Sequence, residues 1–352
     1  MATSVSEPSL YQYSPSHVLP SVFAGLAGIS LVLHVYQNFH FGFWRVTFFM
    51  SWGGLVFTGG WIMRILSSYS PQNLNYYISQ NVLILAAQPI FSGTQYAILS
   101  RLMHHLPMYA PLHPHRVMIF FVYIGAAIES LTVAGASMVA ANPEDMDKRA
   151  RGGLLLSIAL ALQGAVECFF VFLVALVHCR CAKAQRSIPR NIQSICIMLY
   201  GTSTLVLIRC ICRAIESFST ETSTTCNVVC RTVLYNEWYL YAFEAAPIVL
   251  YTLWLNIVHP GFFLPRQRCV YLDVDRKTQR MGPGWIDRRS RLATFLDPFD
   301  VSGILNGQPS HEKFWERPED WPVVEVGNTS QRSSKRAYIP LLQHEVDVSS
   351  KP

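Results

Sequence analysis

Seven apolar stretches alternate with short polar connections along residues 17–265. A bilayer core needs about 20 apolar residues in helical form. The stretches run from about His17 to Phe39, Phe43 to Leu66, Tyr77 to Ser100, Val117 to Ala141, Gly153 to His178, Gln193 to Phe218, and Glu237 to Val258. A lone span satisfies its backbone only as a helix, and no alternating barrel pattern is present. The pattern predicts an all-α membrane protein with seven transmembrane helices. Residues 1–16 are then a short N-terminal segment, 17–265 the membrane domain and 266–352 a tail.

The polar positions left inside these stretches are the informative ones, because charge within a span is costly and faces a partner or a wet cavity. Arg209, Arg213 and Glu216 recur at i, i+4 and i+7 on the sixth span, so they share one helical face. Glu237, Tyr241 and Glu244 repeat that spacing on the seventh. Counting about 1.5 Å of rise per residue from the connecting loop brings Arg209 level with Glu244. The same count puts Arg213 near Tyr241 and Glu216 near Glu237. The expectation is an Arg209–Glu244 pair, with Arg213 either bonded to Tyr241 or free to meet a ligand anion. These charges serve either as a ligand site or as a clamp between two helices.

Other spans carry single polar groups. Glu129 is a lone carboxylate near the middle of the fourth span, and Glu167 follows Gln163 by one turn on the fifth. A buried acid of this kind suits a cationic amine head group or a proton, or it is a neutral acid hydrogen-bonded across helices. Gln80, Gln88 and Gln95, with Asn81 and Tyr96, make a polar face on the third span, where Pro89 predicts a kink.

Composition fits the pattern: 51% of residues are hydrophobic and 14% charged, against roughly a quarter charged in soluble domains. Of 28 Lys and Arg residues, 14 follow His259, together with 12 of the 22 Asp and Glu, so the tail carries +2 of the net charge of +6. The basic residues of the tail are expected to meet anionic lipid at the inner leaflet and not nucleic acid. With the N-terminus outside, seven basic residues (Arg45, Arg101, Arg116, Arg180, Lys183, Arg186, Arg190) fall in cytoplasmic loops, against Arg64, Lys148, Arg149, Arg151 and Arg231 outside. The N-terminus has no basic region or cleavage site typical of a signal peptide, so the first span is expected to act as its own anchor. The tail is expected to be mostly disordered, with at most one surface helix, and its sequon at Asn328 to stay unmodified on the cytoplasmic side.

His104, His105, His113 and His115 fall within twelve residues, but intervening prolines and the lack of an acidic or cysteine ligand argue against a metal site. Cys226 and Cys230 lie in the last outer loop, where oxidation is conceivable. No Ser/His/Asp set, nucleotide-binding loop or dinucleotide fingerprint is present, so neither catalysis nor a cofactor is expected.

The run LYGTSTLVLIRCICRAIESF followed by NEWYLYAFEAAPIVLYTLWLNIVHPGFFLP resembles the signature of the fungal RTA-like family of seven-span lipid-translocating exporters. Its positions here are Arg209, Arg213, Glu216, Glu237, Tyr241, Glu244, His259, Pro260 and Gly261. Tyr13-Ser-Pro, Gly60-Trp61-x2-Arg64, Tyr77-x2-Gln80 and Tyr96-x4-Arg101 support the resemblance, whereas Phe57 stands where the family usually has an acid. The resemblance implies a fungal plasma-membrane protein that releases or flips sphingoid long-chain bases and confers resistance to toxic amphiphiles and sterol-like drugs. A receptor-like sensor acting through its tail is the alternative, and a zinc-dependent hydrolase is a weaker third reading. The candidate ligand contacts are Glu129, Glu167, Gln80, Arg213 and Tyr241, with Glu129 the best placed for a cationic lipid.

Overall fold

The computed structural model describes residues 10–11, 13–142, 145–184, 189–220, 235–275, 278–285, 289, 293, 297, 299–306 and 313–324. Seven helices are long and apolar enough to cross a membrane. They are α1 (Val18–Phe41), α2 (Trp44–Tyr69), α3 (Leu74–His105), α4 (Pro114–Ala141), α5 (Met146–Lys183), α6 (Arg190–Thr220) and α7, which begins at Trp238–Leu240 and ends at Ala246–Ile257. The chain is an integral membrane protein of seven transmembrane helices.

Local chemistry sets the helix ends. Gly42 closes α1 with φ +64°, donating its N–H to Asn38, a left-handed cap that glycine adopts without steric cost. The Asn73 side chain accepts the N–H groups of Asn75 and Tyr76 at the start of α3. Asp145 accepts the N–H of Lys148 and caps α5, which starts at Met146, seven residues before the expected apolar boundary. That bond holds the Asp145 carboxyl below its ordinary range. α3 continues through Pro89 as one helix.

Helices adjacent in sequence pack side by side, and contacts of α7 with α6 and α1 close the bundle. α3 is the most buried span and also touches α5 and α6. Gly135 and Gly152 let α4 and α5 touch backbone to backbone: a Cβ on Gly135 would lie 2.8 Å from Leu156 N. Small residues at such crossings are what membrane helices use in place of a hydrophobic drive. Val18, Ile29, Val32 and Tyr36 on α1 face outward, as lipid contact requires.

Within the tail, some of the described residues form short regular elements. β1 (Val270–Leu272) and β2 (Gln279–Met281) pair antiparallel with Val270 opposite Met281, and α8 (Val301–Leu305) follows. His105 Nδ1 lies 3.4 Å from Val270 O, Arg101 donates to Pro265 O, and Arg116 meets Asp300 at 3.7 Å. Phe299 packs on Phe120 with ring centroids 4.6 Å apart. These apolar residues are too scattered for a local pattern and gain order by docking on the ends of α3 and α4. Asn328 lies outside the described residues, as do Cys226 and Cys230.

Candidate functional site: a charged cavity at the N-terminal face

α6 and α7 meet through four charges. Arg209 Nη2 lies 2.9 Å from Glu244 Oε1, and both side chains are 2% exposed. Arg213 Nε sits 3.0 Å from Glu244 Oε2, while its Nη1 reaches Glu216 Oε2 at 2.6 Å. The Arg209–Glu244 contact is the one helix depth anticipates. Arg213 departs from expectation: it bonds two acids and not Tyr241, whose hydroxyl donates to Glu237 Oε1 at 2.8 Å. The cause is a π-helical turn at Tyr241–Ala245, which the uniform rise used for the depth count does not describe. Pro247 lacks the N–H that would bond the carbonyl of Phe243, and a widened turn accommodates that loss. The wider turn places Glu244 between the two arginines.

A second charge centre lies beside the first. Arg64 is buried within α2 at 3% exposure and pairs with Glu237 at 2.7 Å. Its Nη2 also donates to Tyr13 Oη at 2.9 Å, and its guanidinium lies 4.8 Å from the Tyr11 ring centroid. Gln80 Nε2 donates to Tyr11 Oη at 2.7 Å, and Ser16 N donates to Glu237 Oε2 at 2.8 Å. Burial raises the Tyr13 phenol above its ordinary range, opposed by the guanidinium of Arg64. The short N-terminal segment is thereby stitched over the ends of α2, α3 and α7. Counting Arg64 as an outer-loop charge was therefore wrong, although its position two residues inside the apolar stretch was a signal of burial. Arg101 and Arg116, counted as loop charges at the opposite face, are buried too.

Between these centres opens a cavity of ≈ 280 Å³. One wall is polar, formed by Tyr13, Arg64, Gln80, Arg213, Glu216 and Glu237. The other is apolar, formed by Ile84, Leu85, Ala136, Val139, Ala140 and Leu156 of α3, α4 and α5. Such a space accepts a molecule with a polar head and a hydrocarbon body.

The remaining candidates lie elsewhere. Glu129, expected to contact a cationic lipid, is half-buried on α4 and is not among the residues lining this cavity. It lies on the outward side of α4, a position that spacing along one helix does not reveal. Glu167 is buried between helices, also away from the cavity. Tyr241 stacks on Trp61 at 5.6 Å and Phe23 at 5.4 Å. At the other end of α7, His259 Nδ1 accepts the Gly261 N–H at 3.1 Å, and its ring stacks on Phe41 at 5.0 Å. His259, Pro260 and Gly261 thus form a structural turn far from the cavity. Among the described residues no group of three or more His, Cys, Asp or Glu is arranged to hold a metal ion.

Fold and site together define a seven-helix membrane protein with an amphipathic cavity under one face. The family model for RTA1 like protein matches residues 50–267, which include all of the charged α6–α7 pair. A relative from Leptosphaeria maculans named lipid-translocating exporter-like protein RTA1 is 32% identical over 296 residues, covering 80% of this chain and 56% of its own. A protein of the same name from Ajellomyces capsulatus is 28% identical over 283 residues, covering 77% and 85%. Protein RTM1 of Saccharomyces cerevisiae is 24% identical over 204 residues, covering 54% and 60%. The chain spans a little over half the length of the Leptosphaeria relative. No solved structure matches. The chain belongs to the RTA1-like family.

Proposed function

We propose that this protein translocates amphiphilic lipids across the plasma membrane, exporting sphingoid long-chain bases or sterol-like toxic compounds. The cavity carries this reading: its polar wall suits a charged head, and its apolar wall of aliphatic side chains suits a hydrocarbon body. The names of two relatives, lipid-translocating exporter-like protein, support the same reading. Head-group contact falls to Glu216, Arg213 and Gln80, which line the polar wall, with Glu216 the most exposed acid of the α6–α7 set. The N-terminus lies outside in this reading, which opens the cavity to the outer leaflet, and the basic tail meets anionic inner-leaflet lipid. Reconstituted vesicles test it: the protein moves a fluorescent long-chain base between leaflets faster than protein-free vesicles do. Equal rates would refute it.

A sensor regulating lipid movement is the second reading, and docking of the tail favours it. Phe299 and Asp300 engage Phe120 and Arg116 of α4, whose other end supplies Ala136 and Ala140 to the cavity. A protein that moves no lipid in vesicles, but loses its cellular effect when the tail is removed, is a sensor.

A further inference from the structure

Arg101 closes the Tyr96-x4-Arg101 pattern of α3 and takes no part in the cavity. It lies four residues before the helix ends at His105, roughly 6 Å along the axis, at the face opposite the cavity. Its side chain is buried at 3% exposure. Nη2 donates to Pro265 O, but Nε and Nη1 are enclosed and have no hydrogen-bond partner among the described residues. His104 Nδ1 is likewise enclosed without a partner, and residues three apart are neighbours on a helix surface. A buried guanidinium without a counter-charge is costly, and each enclosed N–H left unpaired adds to the cost.

The acids nearest in sequence are engaged elsewhere. From Pro265 to Val270 the chain crosses the end of α3 and is tied there at both ends. Pro265 O accepts from Arg101, and Val270 O lies 3.4 Å from His105 Nδ1. Between these ties stand Arg266 and Arg268, both exposed. The Arg266 guanidinium packs on Gly42 of the α1–α2 turn. Asp273 pairs with Arg280, and Asp275 accepts the N–H of Thr278, so both acids serve the β1–β2 hairpin. Among the described residues, Arg101 and Arg268 pair with no acid. No backbone–backbone hydrogen bond among the described residues fixes Arg266, Gln267 or Arg268. A segment held so lightly opens at low cost, which gives access to Arg101.

We propose that the end of α3 beneath residues 265–268 is a binding site for a phosphate group, carried by a lipid head or by a soluble phosphate. Arg101 is its buried anchor, His104 Nδ1 a second donor, and Arg268 the exposed cation that meets the ligand first. A guanidinium grips two phosphate oxygens at once. A phosphate monoester carries more than one negative charge, so it answers two arginines better than a carboxylate does. Lipid head groups lie just outside the hydrocarbon core, near the ends of spanning helices. Binding exchanges Pro265 O for the ligand and supplies the missing counter-charge. The lipid form of the ligand rests on the reading that this face meets the inner leaflet, whereas the site itself does not rest on the cavity.

The test uses the purified full chain in uncharged detergent micelles. Calorimetry follows titration with dioctanoyl phosphatidic acid, with inorganic phosphate, and with dioctanoyl phosphatidylcholine as the control of no net charge. Saturable binding of phosphatidic acid alone supports the site with a lipid head as ligand, and saturable binding of inorganic phosphate supports it with a soluble one. Arg101→Met is expected to weaken binding tenfold or more, and Arg268→Gln about fivefold. Arg101→Met removes an uncompensated buried charge, so it is expected to fold; Arg268→Gln changes a surface residue and decides the matter if it does not. Absence of saturable binding by both phosphate probes overturns the site. So does equal binding by wild type and Arg268→Gln, or phosphatidylcholine binding as tightly as phosphatidic acid. Wild-type protein that binds phosphatidic acid in this way but moves no long-chain base in vesicles keeps the site and loses the translocation reading.

Discussion

Removing Arg64 is the most informative single change. Its guanidinium, 3% exposed, meets Glu237 at 2.7 Å and Tyr13 Oη at 2.9 Å. Arg64→Met keeps the length and leaves Glu237 in a nearly buried site with only the Tyr241 hydroxyl and the Ser16 N–H. Breaking one side of a buried ion pair costs about 3–5 kcal/mol. The lower end applies here, because two neutral donors still reach the carboxylate. Removing both partners, as Arg64→Met with Glu237→Gln, removes the orphaned charge and is expected to recover most of the loss. Chemical unfolding in mixed micelles, followed by helical circular dichroism, measures the four corners of the cycle. The expected coupling is about 2 kcal/mol, in the upper part of the range for contacting residues. A coupling under roughly 0.5 kcal/mol, the level of independent sites, would refute the view that this pair holds the cavity wall.

Gly135→Val is expected to lower stability by about 1–3 kcal/mol through overpacking, because its new Cβ meets α5 backbone 2.8 Å away; thermal unfolding of the variant checks this. Replacing Tyr11 and Tyr13 by alanine removes the aromatic cover over Arg64. Faster labelling of a cysteine placed at the cavity-lining Ala140 is the expected result, with unchanged labelling counting against a role for the two tyrosines in covering the cavity. Arg116→Ala breaks the contact with Asp300, and hydrogen exchange should rise in residues 299–306 while the α1–α2 hairpin keeps its protection.

Much of this architecture is written in hydropathy. The seven spans and the level meeting of Arg209 with Glu244 follow from apolar run length and helical rise alone. What escaped depends on the third dimension. Arg64 reads as a loop charge because it stands near the end of an apolar run, yet Glu237 and the N-terminal tyrosines bury it. Glu129 reads as a core acid because one helix viewed alone does not show which side its neighbours cover. The π turn at Tyr241–Ala245 follows from Pro247, whose missing N–H acts four residues upstream. The tail's strands need α3 and α4 to dock on, so their own composition does not announce them.

Transfer of a fluorescent long-chain base in reconstituted vesicles, comparing wild type with Ala140→Phe, bears most directly on the cavity. Ala140 lines the apolar wall, and a phenyl ring there occupies the space assigned to the chain. The expected result is transfer above protein-free vesicles for the wild type and background transfer for a folded Ala140→Phe. Wild-type transfer at background, or equal transfer by both proteins, would contradict the amphipathic cavity as the translocation site.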